Sequence, residues 1–175
     1  VMKKSVILAA APAGRPLSER LRLIRQAGFD AVELAIEEEG EFSISSGEEE
    51  IRRAGQMVRD AGLEVSGLLA GLCWKYPLTS DNPDVRRKAG ELLEHSIRMC
   101  RWTGTDALLV VPGVVQADWA EPGVVPYDAA WHRSRQGIEA ILPTAEREGV
   151  FVCIENVWNK FLLSPLEMKQ FIDQF

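Results

Sequence analysis

A chain of 175 residues suits one domain with a real hydrophobic core. Its 46% apolar and 26% charged residues are ordinary for a globular protein, and a net charge of −6 argues against nucleic-acid or anionic-membrane surfaces, which need clustered positive charge. No apolar run approaches the roughly 18 residues of a membrane helix. The run 5–11 is short and soon followed by Pro12, Gly14 and Pro16, so it does not read as a signal peptide. Cys73, Cys100 and Cys153 are widely spaced, with no CxxC pair, and fit free thiols in a reducing cytoplasm.

Residues 5–11 read as a first strand. A loop with prolines and a glycine follows, then a helix over about 17–27 in which Leu17, Leu21 and Ile24 share a face. Gly28 stands where a helix end favours a left-handed residue. The second strand, 29–34, runs into an acidic loop from Glu37 to Glu41. A helix over 48–61 buries Ile51, Ala54, Val58 and Ala61, Gly62 ends it, and 63–69 is a third strand. The next loop, 70–81, carries Cys73, Trp74, Lys75, Tyr76 and Pro77.

Asn82-Pro83 supplies an N-cap and a first-turn proline for a third helix, with Val85, Ala89, Leu92, Ser96 and Cys100 inward. Residues 106–111 form the fourth strand. The connection from Pro112 to Tyr127, rich in Pro and Gly and holding Trp119, has the length of a lid or binding loop. A fourth helix over 128–148 aligns Trp131, Ser134, Ile138, Ile141 and Ala145, and Pro143 should kink it or weaken its last turns. After the fifth strand, Ser164-Pro165 opens a last helix with Leu166, Phe171 and Ile172.

The fifth strand is the most informative stretch. Phe151-Val152-Cys153-Ile154 reads as a strand buried on both faces, and Glu155 closes it, followed by Asn156, Trp158, Asn159 and Lys160. Alternation sets Phe151, Cys153 and Glu155 on one side and Val152 and Ile154 on the other. A carboxylate closing a buried strand is costly unless it is paired, hydrogen-bonded or bound to a metal.

Gly28-Phe29-Asp30, Gly62-Leu63-Glu64, Gly104-Thr105-Asp106 and Gly149-Val150-Phe151 each join a helix end to a strand start. Their spacing of about 34–45 residues is that of one β/α unit, so the chain reads as five such units in series with parallel strands. Two architectures accommodate this: a doubly wound sheet, or the first five units of an eight-unit β/α barrel. Ala11-Pro12-Ala13-Gly14-Arg15-Pro16 is a poor phosphate loop because its prolines lack amides, whereas polar residues closing several strands follow barrel logic.

The segment Gly28-Phe29-Asp30-Ala31-Val32-Glu33-Leu34 resembles the second-strand signature of the xylose-isomerase-like TIM barrels. Gly149-Val150 followed by Ile154-Glu155-Asn156 resembles their fifth-strand metal-ligand segment, and the likeness is greatest to the sugar isomerases and epimerases, including ketose 3-epimerases. The resemblance implies an α/β fold of xylose-isomerase TIM-barrel type. Residues 1–175 would then be a single partial domain holding units one to five, with units six to eight absent from this sequence. It implies a cytoplasmic, metal-dependent sugar or sugar-phosphate isomerase or epimerase of carbohydrate metabolism. Glu155 would be the first of its ligands to a divalent metal (Mn²⁺, or Mg²⁺, Co²⁺ or Zn²⁺).

In that reading Glu155 is both metal ligand and acid/base, moving a proton next to a carbonyl through an ene-diolate. The family's other ligands come from strands six to eight, so catalysis requires residues beyond Phe175 and the expectation is a fragment of a longer protein. Glu33 either meets a substrate hydroxyl or caps local amides. Lys75, between Trp74 and Tyr76, either meets a sugar phosphate or is an ordinary surface lysine. Asn156, Trp158, Asn159 and Lys160 would line the sugar pocket, with core packing the alternative for Trp158. Trp119 would belong to a lid. His95 and His132 close no strand and read as solvent-facing or structural.

The partner implied is a small sugar or sugar phosphate, with no nucleic acid and no membrane; a homodimer is one expectation for exposed sheet edges. Alternatives are a lyase resembling inosose dehydratases, or a non-catalytic half-barrel for binding or assembly. The acidic charge disfavours an abasic-site endonuclease of the same superfamily.

Overall fold

The structure is a computed structural model and describes residues 2–40, 42–119 and 123–175. Five strands alternate with five helices: β1 Ser5–Ile7, α1 Leu17–Gln26, β2 Ala31–Ala35, α2 Glu48–Asp60, β3 Glu64–Leu69, α3 Pro83–Thr103, β4 Ala107–Val110, α4 Tyr127–Glu148, β5 Phe151–Ile154 and α5 Pro165–Ile172. Short 3-10 turns follow β1 (Leu8–Ala10) and β3 (Gly71–Cys73). The helix ends are where the sequence signals place them. Asn82 accepts from the Asp84 amide at the start of α3, and Ser164 does so from the Glu167 amide at the start of α5. Gly104 and Gly149 take left-handed conformations that end α3 and α4, at φ 94° and 64°.

The strands are parallel and lie side by side in chain order, β1-β2-β3-β4-β5. That order decides between the two architectures. A doubly wound sheet reverses its strand order partway; here no reversal occurs, so right-handed crossovers put the helices on one face only. A sheet coated on one face in this way is the wall of a β/α barrel. The fold is accordingly α/β, of TIM-barrel type, over five β/α units.

The core lies between sheet and helices. Val32, Leu34, Leu68, Leu108 and Val110 from the strands pack with Leu21, Ile24, Ile51, Val58, Ile97, Ile138 and Ile141 from the helices. A second, aromatic cluster holds α5 against α4: Phe161 and Phe171 are fully buried, and Trp131 meets Phe171 edge-on at 5.2 Å. Such edge-to-face pairs add about 0.5–1.5 kcal/mol each beyond area burial.

Several expectations about burial are corrected. β5 is not buried on both faces: Val152 and Ile154 pack toward the helices, but Phe151 is 70% exposed and Cys153 and Glu155 are also exposed. Among the described residues the helix-free face of the sheet is open, and these residues project from it. On α3 the buried stripe runs through Ala89, Leu93, Ser96, Ile97 and Cys100, leaving Val85 and Leu92 only partly covered. On α5, Phe171 is buried while Leu166 and Ile172 are exposed. Trp131 is half-buried and belongs to the aromatic cluster.

α4 continues through Pro143 to Glu148. Pro143 and Glu139, whose carbonyl lost its helical partner, both lie on the solvent side, so water satisfies that carbonyl. No described helix is long and apolar enough to cross a membrane.

Candidate active site

All five strands point their carboxyl ends the same way, so the loops after them share one rim. On the open face below that rim, cross-strand register sets Glu33 of β2 beside Gly67 of β3. Gly67 has no side chain, and a Cβ there would meet the Ala107 carbonyl oxygen of β4 at 3.3 Å. Glu155 follows β5 directly, its amide donating to the Val110 carbonyl at 3.1 Å. This bond extends the β4–β5 ladder by one residue and fixes the Glu155 backbone.

The two carboxylates act on each other. Burial pushes the Glu33 carboxyl above its ordinary value of 4.5, and the negative charge of Glu155 pushes it further the same way. Cys153, one step down β5 from Glu155, faces the same space, and its thiol is also raised, by burial and then by Asp106 and Glu33. It stays protonated at neutral pH and is a poor nucleophile. The fold thus puts Glu33, Cys153 and Glu155 on one open face, near enough for charge on one to be felt by another. The Glu33–Glu155 pairing was not readable from their separate motifs, and no sequence signal marked Cys153 beyond its alternation with Glu155.

The raised Glu33 carboxyl has a consequence for stability. A carboxyl whose folded value lies above its unfolded one contributes stability that is complete below the unfolded value and is lost as pH rises through the folded value. In metal-free protein, Glu33→Gln should therefore melt higher than the parent at pH 7. The difference should vanish below about pH 3, where Glu33 is protonated in both states. A parent more stable than the variant at pH 7 would mean that the Glu33 carboxylate has a favourable partner.

The remaining residues singled out from the sequence separate into two sets. Trp74 lies in the loop after β3 and meets Trp119 of the loop after β4 edge-on, 5.4 Å between ring centres, so two rim loops touch through indoles. The connection from Pro112 to Tyr127, expected to form a lid, includes residues 120–122, which lie outside the described residues, as does Glu41 of the acidic loop. Lys75 is exposed and its ammonium is taken by Glu38 at 2.6 Å, which raises its affinity for the proton.

Asn156 is exposed beside Glu155, and Trp158 is 83% exposed, which removes the core-packing alternative for it. Lys160 donates to Gln116 Oε1 at 2.8 Å. Asn159 does not line the pocket; it is fully buried, and its amide donates to the Gly113 carbonyl at 2.7 Å. A cavity of about 320 Å³ opens at the same rim between the loops after β1 and β2, with Arg15, Arg20, Glu37 and Glu39 in its wall.

His95 is half-buried, meets Trp102 edge-on at 5.5 Å, and its imidazole is held below its usual range by burial and Arg98. His132 is exposed on α4. Among the described residues, no three His, Cys, Asp or Glu side chains gather into a group able to hold a metal.

The family model of the xylose isomerase-like TIM barrels matches residues 21–175. Among solved structures, the chain is similar to D-psicose 3-epimerase determined in the presence of D-fructose, with 18% identity and a TM-score of 0.79 over 98% of this chain and 59% of that one. It is similar to L-ribulose 3-epimerase, with 21% identity and a TM-score of 0.76 over 99% of this chain and 57% of that one. A third is 3-keto-D-glucoside 4-epimerase from E. coli in its apo form, with 16% identity and a TM-score of 0.75 over 99% and 64%. The chain thus spans about three-fifths of the length of these proteins. No curated protein matches the sequence. With the strand order, the one-sided coat of helices and the family model in agreement, the chain belongs to the xylose isomerase-like TIM barrel family.

Proposed function

We propose that this chain carries part of the active site of a metal-dependent sugar or sugar-phosphate isomerase or epimerase. The observation that carries the reading is Glu155, held at the carboxyl end of β5 on the helix-free face with Glu33 facing the same space. Family membership and likeness in fold to three epimerases support it.

The donors present fit a divalent cation that prefers oxygen ligands. Glu155 is an accessible carboxylate, and the repulsion it exerts on Glu33 marks a place where positive charge is favourable. Glu155 would supply one ligand, with the remainder outside this chain. When bound, the metal supplies Lewis-acid polarisation of a carbonyl and makes the neighbouring C–H acidic.

The chain's own residues then have distinct tasks. Glu155 would take or return the proton next to the carbonyl on one face of the sugar, and a second acid/base outside this chain would do the reverse on the other face, which inverts the centre. Glu33 offers its carboxyl to a sugar hydroxyl. Asn156 offers an amide donor and acceptor at the same rim. Trp74 and Trp158 present apolar faces to sugar C–H groups, and Lys160, beside Gln116, offers an ammonium to a hydroxyl or phosphate. Lys75 serves only by leaving Glu38.

The test is metal content and turnover of the full-length protein. After dialysis against chelator and reloading, Mn²⁺ should bind near stoichiometrically. A screen of free and phosphorylated ketoses, read by carbohydrate chromatography, should show an isomer of unchanged mass. Loss of water from the product would assign a lyase instead. Absence of both metal binding and any sugar conversion would overturn the reading.

A further inference from the structure

Three rim loops are joined beneath the site by a buried chain of hydrogen bonds. In the loop after β3, the Thr79 hydroxyl donates to the Val114 carbonyl at 2.7 Å and accepts from the Val114 amide at 2.8 Å. Thr79 is fully buried, and its methyl fills the space that a side chain at Gly113 would need. In the loop after β4, the Pro112 carbonyl accepts from Ser134 of α4 at 2.7 Å. The next carbonyl, that of Gly113, accepts from Asn159 Nδ2.

Asn159 connects the third loop. Its Oδ1 accepts from the Phe161 amide at 3.2 Å, and its backbone carbonyl accepts from the Val115 and Gln116 amides at 2.9 and 3.2 Å. One buried residue therefore makes contacts through its side-chain donor, its side-chain acceptor and its backbone carbonyl. Around it the backbone is strained: Lys160 and Leu162, neither of them glycine, sit at φ 53° and 55°. Left-handed conformations at such residues persist only where surrounding contacts over-determine them, and they gather at functional sites.

Glu155 lies between two fixed points. Its own amide is tied to Val110, and four residues later Asn159 is tied to Gly113 and to the backbone of Val115 and Gln116. Only Asn156, Val157 and Trp158 intervene, and Val157 packs on the core. We infer that Asn159 is a positioning residue of the site: it clamps the loop after β5 to the loop after β4 and so sets the direction of Glu155, Asn156 and Lys160. The inference rests on the proposed function for what is positioned, and on the hydrogen bonds alone for the clamp.

Two variants of the full-length protein test it, Asn159→Ala and the near-isosteric Asn159→Asp. Hydrogen exchange by mass spectrometry should show faster exchange in peptides covering 112–118 and 156–163, with β2 and β3 unchanged. Mn²⁺ affinity, measured by the electron-spin signal of the free ion, should fall about 10–100-fold in Asn159→Ala, the range seen when groups supporting a metal ligand are lost.

In Asn159→Asp a carboxylate would face the Gly113 carbonyl, whereas a protonated acid can donate to it. The deficit in Mn²⁺ affinity relative to wild type at the same pH should therefore shrink as pH is lowered, a dependence that a general loss of stability would not produce. Should Asn159→Ala fail to fold, Asn159→Asp decides the question on the same readouts. Unchanged exchange in the two loops, exchange accelerated throughout the domain, or Mn²⁺ affinity unaltered in a variant with loosened loops would each overturn the assignment. Wild-type protein that binds no Mn²⁺ would instead overturn the proposed function, leaving the exchange pattern to decide the clamp.

Discussion

Glu155→Gln is expected to lower sugar turnover by about 10²–10⁴-fold, the usual contribution of a positioned acid/base, and to abolish tight Mn²⁺ binding. The substitution keeps the size and planarity of the side chain and removes its charge. Glu155 is exposed, and the contact that holds it is made by its backbone amide to Val110, which glutamine retains. Stability should therefore stay within about 0.5 kcal/mol of wild type, as for most surface substitutions. The Glu33 carboxyl should titrate lower in the variant, because one of its two causes of elevation is gone; burial, the larger cause, remains. Glu33→Gln should cost turnover less, since the amide keeps the capacity to hydrogen-bond a sugar hydroxyl. A Glu155→Gln protein with full turnover and metal content would sink the mechanism outright.

The order of elements was legible because its signals are local. A left-handed residue is needed where an α-helix turns into a strand, and Gly104 and Gly149 stand at two such places. Asn82-Pro83 and Ser164-Pro165 mark helix starts for equally local reasons. Strand order was not local: the helices between strands and the handedness of crossovers gave parallel strands but left a doubly wound sheet and a barrel both open, and the observed order β1-β2-β3-β4-β5 decided between them. Glu155 stood out as a candidate because a carboxylate ending an apolar run is rare without a task.

What stayed hidden depends on residues distant in sequence. Alternation assigned Phe151, Cys153 and Glu155 to one face, but it could not say that this face is left exposed among the described residues. Lys75 reads as a free cation until the fold sets Glu38 beside it, 37 residues away in sequence. Asn159 sits among Trp158, Lys160 and other rim residues, and its neighbours in sequence give no hint of burial. Its partner, the Gly113 carbonyl, is 46 residues away, and backbone carbonyls leave no mark in a sequence. The aromatic cluster similarly joins Trp131 of α4 to Phe161 and Phe171 across the fifth loop.

Gly55→Ala should destabilise the protein by about 2–4 kcal/mol, against the sign of helix propensity. In an open helix interior, replacing Gly by Ala is worth about 0.8–1.0 kcal/mol of stabilisation. Gly55 lies on the face of α2 that packs against the end of α3, however. A Cβ there would meet the Thr103 carbonyl oxygen well inside 3.0 Å, with the Thr103 carbonyl carbon and Cα each at 3.1 Å. The obstacle is backbone, which cannot rotate aside, and overpacking of this kind costs about 1–3 kcal/mol, occasionally more. The same carbonyl accepts from Arg59 Nη1 at 3.0 Å, one helical turn beyond Gly55, so moving α3 away also weakens a charged hydrogen bond worth about 1.5–3 kcal/mol. These losses exceed the propensity gain. The midpoint of thermal unfolding should fall by about 5–15 °C, since each kcal/mol moves a domain of this size by about 2–4 °C. Gly90 on α3 is the control: a Cβ added there would meet no neighbouring atom within 4 Å and its φ is not positive, so Gly90→Ala should raise the midpoint by a few degrees. Calorimetry on the two variants should give opposite signs. A higher midpoint for Gly55→Ala would mean that α2 and α3 are free to separate, and the close helix contact behind β2 and β3 would have to be given up.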